Sequence, residues 1–195
     1  MENQLLRAAY QHPLLTEADL QDLFAVHKRI EYPKGAMLLQ KGDIANEYFI
    51  AEQGLVRSYL YDYEGNEITT GFAGPGDVVI EVASIFQRVP TEDYIQCVTD
   101  CVLWQIDFEQ FQNLFHQSPA IREWGRAWMA LELYRHKMRA TEIITLPAAK
   151  RYMQLLERRP EVLQLAPLKY IASYLGVTDT SLSRIRKELS SGLGH

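Results

Sequence analysis

Only two of the 195 residues are cysteine, Cys97 and Cys101, too few for a disulfide framework or for the roughly four thiolates an iron–sulfur cluster takes. No apolar run reaches the ~18 residues of a membrane span. The opening Met1-Glu2-Asn3-Gln4 is acidic and polar, unlike a secretory leader, so a cytoplasmic location without membrane contact is expected. The five histidines, His12, His27, His116, His136 and His195, include no H-x-H or H-x-x-x-H pair. That argues against the clustered imidazoles of a metal-dependent jelly-roll enzyme, and His136 reads as a surface or interface residue. No Ser-His-Asp set, Gly-x-Ser-x-Gly turn or phosphate loop ending in Lys-Ser/Thr is present, so no enzyme, metal or evident cofactor is expected. Repeats and low-complexity tracts are also absent. What remains is ordinary globular material, 47% apolar and 23% charged.

The net charge of −5 by itself argues against a polyanion partner, but it hides a split. Residues 1–118 hold 7 Lys+Arg against 18 Asp+Glu, a net of −11, and residues 119–195 hold 13 against 7, a net of +6. An acidic front joined to a basic rear suggests two tasks on one chain, with the rear as the candidate for touching nucleic acid.

Residues 14–26 read as a short amphipathic helix capped by Thr16 with Asp19 three residues on, its Leu20, Leu23 and Phe24 facing a core. From His27 to Ile106 short β-prone runs alternate with turn residues every 8–12 positions, such as Pro33-Lys34-Gly35 and Gly74-Pro75-Gly76-Asp77. This spacing predicts a jelly roll, sandwich or barrel. Two hairpins are expected, Val56–Tyr61 with Glu67–Phe72, and Tyr94–Val98 with Cys101–Ile106 turning at Thr99-Asp100. The two cysteines flanking that turn read as buried packing, with a thiol sensor as the alternative. Asp107 caps a helix to about His116, and Ser118-Pro119 opens a long one to about Ile144, roughly 40 Å. Ile121, Trp124, Trp128, Leu131 and Met138 recur on it at spacings of three and four, flanked by Ala127, Ala130 and Tyr134. A helix this long beside a small β-domain predicts a partner helix, hence a homodimer, although Arg135 falls on the seam. A helix from Pro147 to Arg159, a link over 160–167 and two short helices, about Leu168–Leu175 and Thr178–Ser190, complete the chain.

Residues 168–187, LKYIASYLGVTDTSLSRIRK, fit a helix-turn-helix on mechanical grounds. Ala172 lets two helices cross closely, and Gly176 supplies the positive φ of a sharp turn. Ile171, Leu175, Val177, Leu182 and Ile185 fill the space between the helices, and Thr178 caps the second. That second helix offers Asp179, Thr180, Ser181, Ser183, Arg184, Arg186 and Lys187 outward, short hydrogen-bonding groups and cations suited to base edges and phosphates. A generic helical hairpin is the bland alternative.

With a β-domain, a long helix and a helix-turn-helix in this order, the chain resembles the Crp–Fnr family, the cyclic-AMP receptor type of bacterial transcription regulators. Gly76-Asp77, Glu81 and IASYLGVTDTSLSRIRKEL carry the resemblance. It implies an α+β fold with three parts: an N-terminal β-roll (jelly-roll) sensor over 1–117, a dimerisation helix over 118–144 and a helix-turn-helix DNA-binding domain over 145–195. It also implies that the second helix of each motif enters a major groove of double-stranded DNA, with RNA polymerase as a further candidate partner. The hairpin wing often found before the motif is replaced by the link over 160–167.

In cyclic-nucleotide binders of this family a cassette offers Gly-Glu and, about ten residues later, Arg followed by Ser or Thr. The Glu holds the ribose and the Arg pairs with the phosphate. Here Ile80-Glu81 stands at the first place and Thr91-Glu92-Asp93 at the second. Two carboxylates there repel phosphate, so cyclic AMP is not expected, while an unknown small-molecule effector stays open. The candidate ligand residues are Ile80, Glu81, Arg88 (the one nearby cation), Thr91 and, on the long helix where the family contacts the base, Arg135 and His136. Lys169 joins the candidate DNA contacts with Thr178. The expected function is a sequence-specific DNA-binding regulator. The alternative is a β-roll module that binds a small molecule and acts mainly through ligand or protein partners.

Overall fold

A computed structural model describes residues 2–192; His195 lies outside the described residues. The chain starts with α1 (Glu2–Ala9) and α2 (Glu17–Val26), then β1 (Lys28–Tyr32), β2 (Met37–Leu39), β3 (Glu47–Gln53), β4 (Val56–Tyr61), β5 (Glu67–Ala73) and β6 (Val78–Val79). There follow α3 (Val82–Gln87), β7 (Tyr94–Cys97), β8 (Cys101–Asp107) and α4 (Phe108–Gln117). The rest is helical: α5 (Pro119–Thr145), α6 (Ala148–Arg158), α7 (Pro160–Leu165), α8 (Leu168–Tyr174) and α9 (Asp179–Gly192).

The strands form two antiparallel four-stranded sheets, ordered β1-β8-β3-β6 and β2-β7-β4-β5. The first predicted hairpin is present, with Tyr61 opposite Glu67. The second is not. β7 pairs with β2 and β4, whereas β8 pairs with β1 and β3 in the other sheet. Loop contacts draw the chain across instead of letting it fold back. The Val98 amide donates to the Leu55 carbonyl at 2.7 Å, and the Leu55 amide donates to Thr99 Oγ1 at 2.9 Å. The Lys34 amide donates to the Asp100 carboxylate at 2.7 Å. Cys97 and Cys101 therefore face the inter-sheet core with Phe49, Val56 and Leu103, both buried and free. The hydrogen bond to Cys101 and burial push the Cys97 thiol up.

Thr16 and Asp19 close the capping box at the start of α2, as their spacing predicts. Asp19 also accepts from the Ser118 hydroxyl at 2.6 Å, and Ser118 Oγ caps α5 by accepting from the Ile121 amide. One carboxylate thus ties the first predicted helix to the start of the long one. Helix α1, with no periodicity long enough to announce it, buries Leu6 against this same cluster.

Behind it lies a neutral hydrogen-bonded chain. His27 Nδ1 sits 2.6 Å from the Leu23 carbonyl, which can only accept, so that nitrogen carries the proton. Nε2 then accepts from the Tyr10 hydroxyl at 3.0 Å, and the Tyr10 oxygen accepts from Tyr48 at 2.9 Å. Burial lowers the pKa of His27, against an opposing contribution from the Leu23 carbonyl. Unfolded, the imidazole binds a proton more readily than folded, near its ordinary value of about 6.5. Stability from the neutral ring is therefore present above about pH 6.5 and is lost as pH falls through the depressed folded value. Urea midpoints of His27→Gln should accordingly fall less than those of the parent between about pH 7 and 5. Parallel midpoint curves would mean that the ring titrates alike in both states.

Helix α5 spans 27 residues. Its first turns do not face a partner. Ile121 and Trp124 are buried in the core of their own β-roll, 1% and 6% exposed, and Trp128 packs on the same cluster. This corrects the expected interface at Ile121, Trp124 and Trp128: these side chains pack on residues of α1 and α4, with Leu6, Tyr10, Phe111 and Phe115. Gly125 sits in mid-helix because the Phe115 ring occupies the space, 2.9 Å from where a Cβ would stand. Beyond Trp128 the apolar side chains turn outward, with Leu131 45%, Tyr134 60% and Met138 37% exposed. The link over 160–167 is also corrected. Pro160 starts the short helix α7, which buries Val162 among Leu155, Ile171, Leu175 and Leu182.

Candidate nucleic-acid interface and sensor cassette

Helices α8 and α9 lie where the helix-turn-helix is expected and meet across a tight turn. Ile171, Ala172, Leu175 and Leu182 are buried at their crossing, and Val177 packs beside them. Gly176 turns the chain at φ 66°, and the Val177 amide closes the turn onto the Ala172 carbonyl at 3.0 Å. Thr178 Oγ1 caps α9 by accepting from the Ser181 amide at 3.2 Å. The same hydroxyl donates to Ser181 Oγ at 2.9 Å. Ser181 is therefore half-buried in the cap and does not face outward as expected; the third position of the first turn lies directly over the cap residue. Thr178, Asp179, Thr180, Ser183, Arg184, Arg186 and Lys187 are exposed along α9, and Lys169 is exposed on the first turn of α8.

The motif is fastened to the β-roll. Ser173 Oγ donates to Thr69 Oγ1 at 3.0 Å and accepts from the Thr69 amide at 3.2 Å. Arg139 of α5 donates to the carbonyls of Thr69, Thr70 and Tyr174, spanning β5 and α8. Arg159 pairs with Asp77 at 2.7 Å and with Glu161 at 2.5 Å. Arg57, on β4, is 1% exposed and lies between the rings of Tyr59 and Tyr170, at 3.9 and 3.5 Å. It also pairs with Glu67 at 2.6 Å. A single Arg in a strand carries no sequence signal of such a role, because the partner ring lies 113 positions further on, in α8.

At the sensor cassette the sequence candidates part company. Glu81 caps α3, its carboxylate accepting from the amides of Ala83 and Ser84, so it is engaged by backbone. Ile80 packs against the first core cluster. Thr91 is buried, and its Oγ1 accepts from the Asp93 amide at 2.9 Å. The Asp93 carboxyl is raised by burial and then by the charges of Glu81 and Glu92. Glu92 pairs with the exposed Lys41 at 2.6 Å. Arg88 does not fill the gap. With φ at 55° it ends α3, and its guanidinium donates to the Ala45 carbonyl at 2.7 Å and to Asn46 Oδ1 at 2.5 Å. The left-handed backbone at Arg88 directs the side chain toward the start of β3, so its reading as a phosphate ligand is corrected. Arg135 and His136 are exposed on α5, Arg135 paired with Glu132 one turn back at 2.6 Å. The structure thus gathers Glu81, Thr91, Glu92 and Asp93 into an acidic cluster and engages Arg88 and Arg135 elsewhere.

Among the described residues no His, Cys, Asp and Glu side chains cluster to hold a metal ion, and no helix is long and apolar enough to cross a membrane. The family model of the cyclic nucleotide-binding domain matches residues 29–118. The cAMP-activated global transcriptional regulator CRP of Escherichia coli is 25% identical over 108 residues, 55% of this chain and 50% of that protein. The CRP-like protein Clp of Xanthomonas campestris is 28% identical over 108 residues, 54% of this chain and 47% of that one. The chain spans about half the length of the curated relatives it matches. Among solved structures, the c-di-GMP responsive regulator CLP of Xanthomonas campestris aligns with a TM-score of 0.70 at 21% identity, over 91% of this chain and 93% of that one. FixK2 of Bradyrhizobium japonicum aligns with a TM-score of 0.74 at 20% identity, over 86% of each chain. Residues 29–118 therefore match a cyclic nucleotide-binding domain, and the chain shares its overall fold with the regulators CLP and FixK2.

Proposed function

We propose that this protein is a homodimeric, sequence-specific DNA-binding transcription regulator, not an enzyme, and that it does not respond to cyclic AMP. The observation that carries the reading is α9, where Thr180, Ser183, Arg184, Arg186 and Lys187 stand exposed on a capped helix whose opposite face is buried. The basic rear of the chain supplies the field that draws DNA. Thr178, Asp179, Thr180, Ser183 and Arg184 lie toward the N-terminal half, the end that meets base edges in this motif. Arg184 is assigned to guanine, since its fork matches the two acceptors guanine presents in the major groove. Asp179 either accepts from a cytosine amino group or steadies the helix start. Arg186, Lys187 and Lys169 are assigned to phosphates, which add affinity without sequence information.

Arg184→Ala should weaken binding to a selected operator by about 1–3 kcal/mol and flatten the preference at one base pair per half-site. Lys187→Ala should weaken all duplexes alike and reduce the salt slope by about 1 per subunit. Titration of both variants on operator and scrambled DNA across a salt series checks this. No DNA affinity in the parent would leave a ligand-binding β-roll module instead.

The acidic cassette wall supports the second half of the proposal. A charge-assisted contact to the cyclic phosphate contributes about 1.5–3 kcal/mol, and the guanidinium of Arg88 is engaged by the Ala45 carbonyl and Asn46 instead. Calorimetry with cyclic AMP should give no micromolar binding. A micromolar isotherm that Arg88→Ala abolishes would overturn this and place Arg88 on the phosphate after all.

A further inference from the structure

The joint between the long helix and the helix-turn-helix contains a cleft of about 90 Å³ walled by Arg139, Glu142, Arg151, Gln154, Arg158 and Arg159. Two of the four guanidiniums are neutralised by carboxylates, Arg158 by Glu142 at 3.2 Å and Arg159 by Asp77 and Glu161. Among the described residues, Arg139 and Arg151 have no carboxylate among their hydrogen-bond partners. Arg139 is held by the carbonyls of Thr69, Thr70 and Tyr174, and Arg151 by those of Ile143, Leu146 and Leu175. Carbonyls fix the direction of these forks and leave their charge uncancelled, and neither uses all five of its N–H groups. Burial lowers the pKa of Arg139, the mark of a cation short of a counter-charge. In the same wall Gln154 Oε1 is buried with no hydrogen-bond partner.

We propose that this cleft, where the two uncompensated guanidiniums of Arg139 and Arg151 meet the unpaired amide of Gln154, binds a small phosphate monoester that also carries a hydroxyl. The phosphate dianion matches two uncancelled positive charges and accepts the spare N–H groups of Arg139, Arg151 and Arg158. The hydroxyl donates to Gln154 Oε1. The size fits a phosphate group with a few carbons and excludes a whole nucleotide from the enclosed part. Because α5, α6 and α8 all contribute, a bound ligand bridges the elements that set the orientation of the reading head. This site stands apart from the cassette and does not depend on the assignment of α9 to DNA.

The test uses the full-length protein and glycerol 3-phosphate, with inorganic phosphate as the fragment and sodium chloride at matched ionic strength as the control. Calorimetry should show saturable binding of glycerol 3-phosphate, tighter than phosphate, with a rise in melting temperature absent in chloride. Glu142→Gln removes the one carboxylate in the wall and should tighten binding about fivefold, and Arg158→Gln should weaken it about fivefold, the scale of one charge a few ångströms from a partly solvated anion. Arg158 lies at the rim and Gln is nearly isosteric with the half-buried Glu142, so both variants should unfold as cooperatively as the parent. Absence of saturable binding, or variants that fail to move the affinity in opposite directions, overturns the proposal. If glycerol 3-phosphate does not bind but Arg158→Gln weakens scrambled duplex DNA and lowers its salt slope, the cleft takes a backbone phosphate and the small-molecule assignment falls.

Discussion

Leu131→Asp combined with Met138→Asp is expected to give a folded monomer. In the protomer, Ala127, Leu131, Tyr134 and Met138 lie on α5 at spacings of four, three and four, with Leu131, Tyr134 and Met138 exposed. In the homodimer proposed above, this stripe would be the seam of a two-helix coiled coil, in which each apolar knob enters a hole on the partner. It is rotated from a seam through Ile121, Trp124 and Trp128, since those side chains face their own core. Arg135 stands off the rotated seam, paired with Glu132, so the charge that marred the sequence pattern no longer has to be buried. Two aspartates per helix in this seam place four carboxylates in a desolvated interface, and sedimentation at micromolar concentration should show monomers only. Near-UV circular dichroism should stay unchanged, because neither side chain supports the protomer. Trp124→Asp should instead abolish the near-UV signal, as it puts a charge among Tyr10, Tyr48 and Phe111. Operator affinity of the monomer should fall by about 10²–10⁴, since linking two half-site readers is what raises it by that factor. A Leu131→Asp/Met138→Asp protein that still sediments as a dimer would move the interface away from α5.

The contrast between Ile121 and Leu131 shows what the sequence could and could not settle. Spacing of three and four identifies the long helix and its apolar character, but two adjacent stripes on one helix share that spacing. Which stripe faces inward depends on where α4 and α1 stand, and α1 carries no periodicity long enough to be read. The helix-turn-helix was legible because its constraints are local: a small residue at the crossing, a positive φ four positions on, and a cap two further on. The capping box at Thr16 was legible for the same reason. Segment 98–100 looked like a hairpin turn because Thr-Asp between two β-runs is turn chemistry. Its true path is fixed by Leu55 and Lys34, some 40 and 65 positions away. At the cassette, the acidic wall followed directly from Glu92-Asp93, whereas the diversion of Arg88 depends on one backbone angle. The contacts that fasten the C-terminal helices to the β-roll, through Thr69, Arg57, Arg139 and Arg159, join residues far apart in sequence and leave no pattern in the chain.

Arg57→Met is expected to be the most destabilising single change at that junction, by about 2–4 kcal/mol. The guanidinium is almost wholly buried, ion-paired with Glu67 at 2.6 Å, hydrogen-bonded to Gln96 Oε1 at 3.2 and 2.9 Å, and stacked between Tyr59 and Tyr170. Met keeps most of the stem volume, so the loss is electrostatic and not a cavity. It leaves the buried Glu67 Oε2 without its cation, while the rest of the Glu67 side chain is 31% exposed, so the upper end of the range for buried pairs does not apply. Arg57→Lys keeps the charge but loses the planar fork between two rings and should fall between the parent and Met. The loss should not be confined to the β-roll, because Tyr170 belongs to α8. Amide exchange in α8 and α9 should therefore speed up in Arg57→Met, although neither helix is mutated. A double-mutant cycle with Tyr170→Leu isolates the stack. A desolvated cation–π contact of this kind contributes about 2 kcal/mol, and a coupling of that order between Arg57 and Tyr170 is expected from denaturation midpoints. Additive losses with unchanged exchange in α8 would show that the two domains are held together by the Thr69, Arg139 and Arg159 contacts alone, and that Arg57 serves only its own sheet.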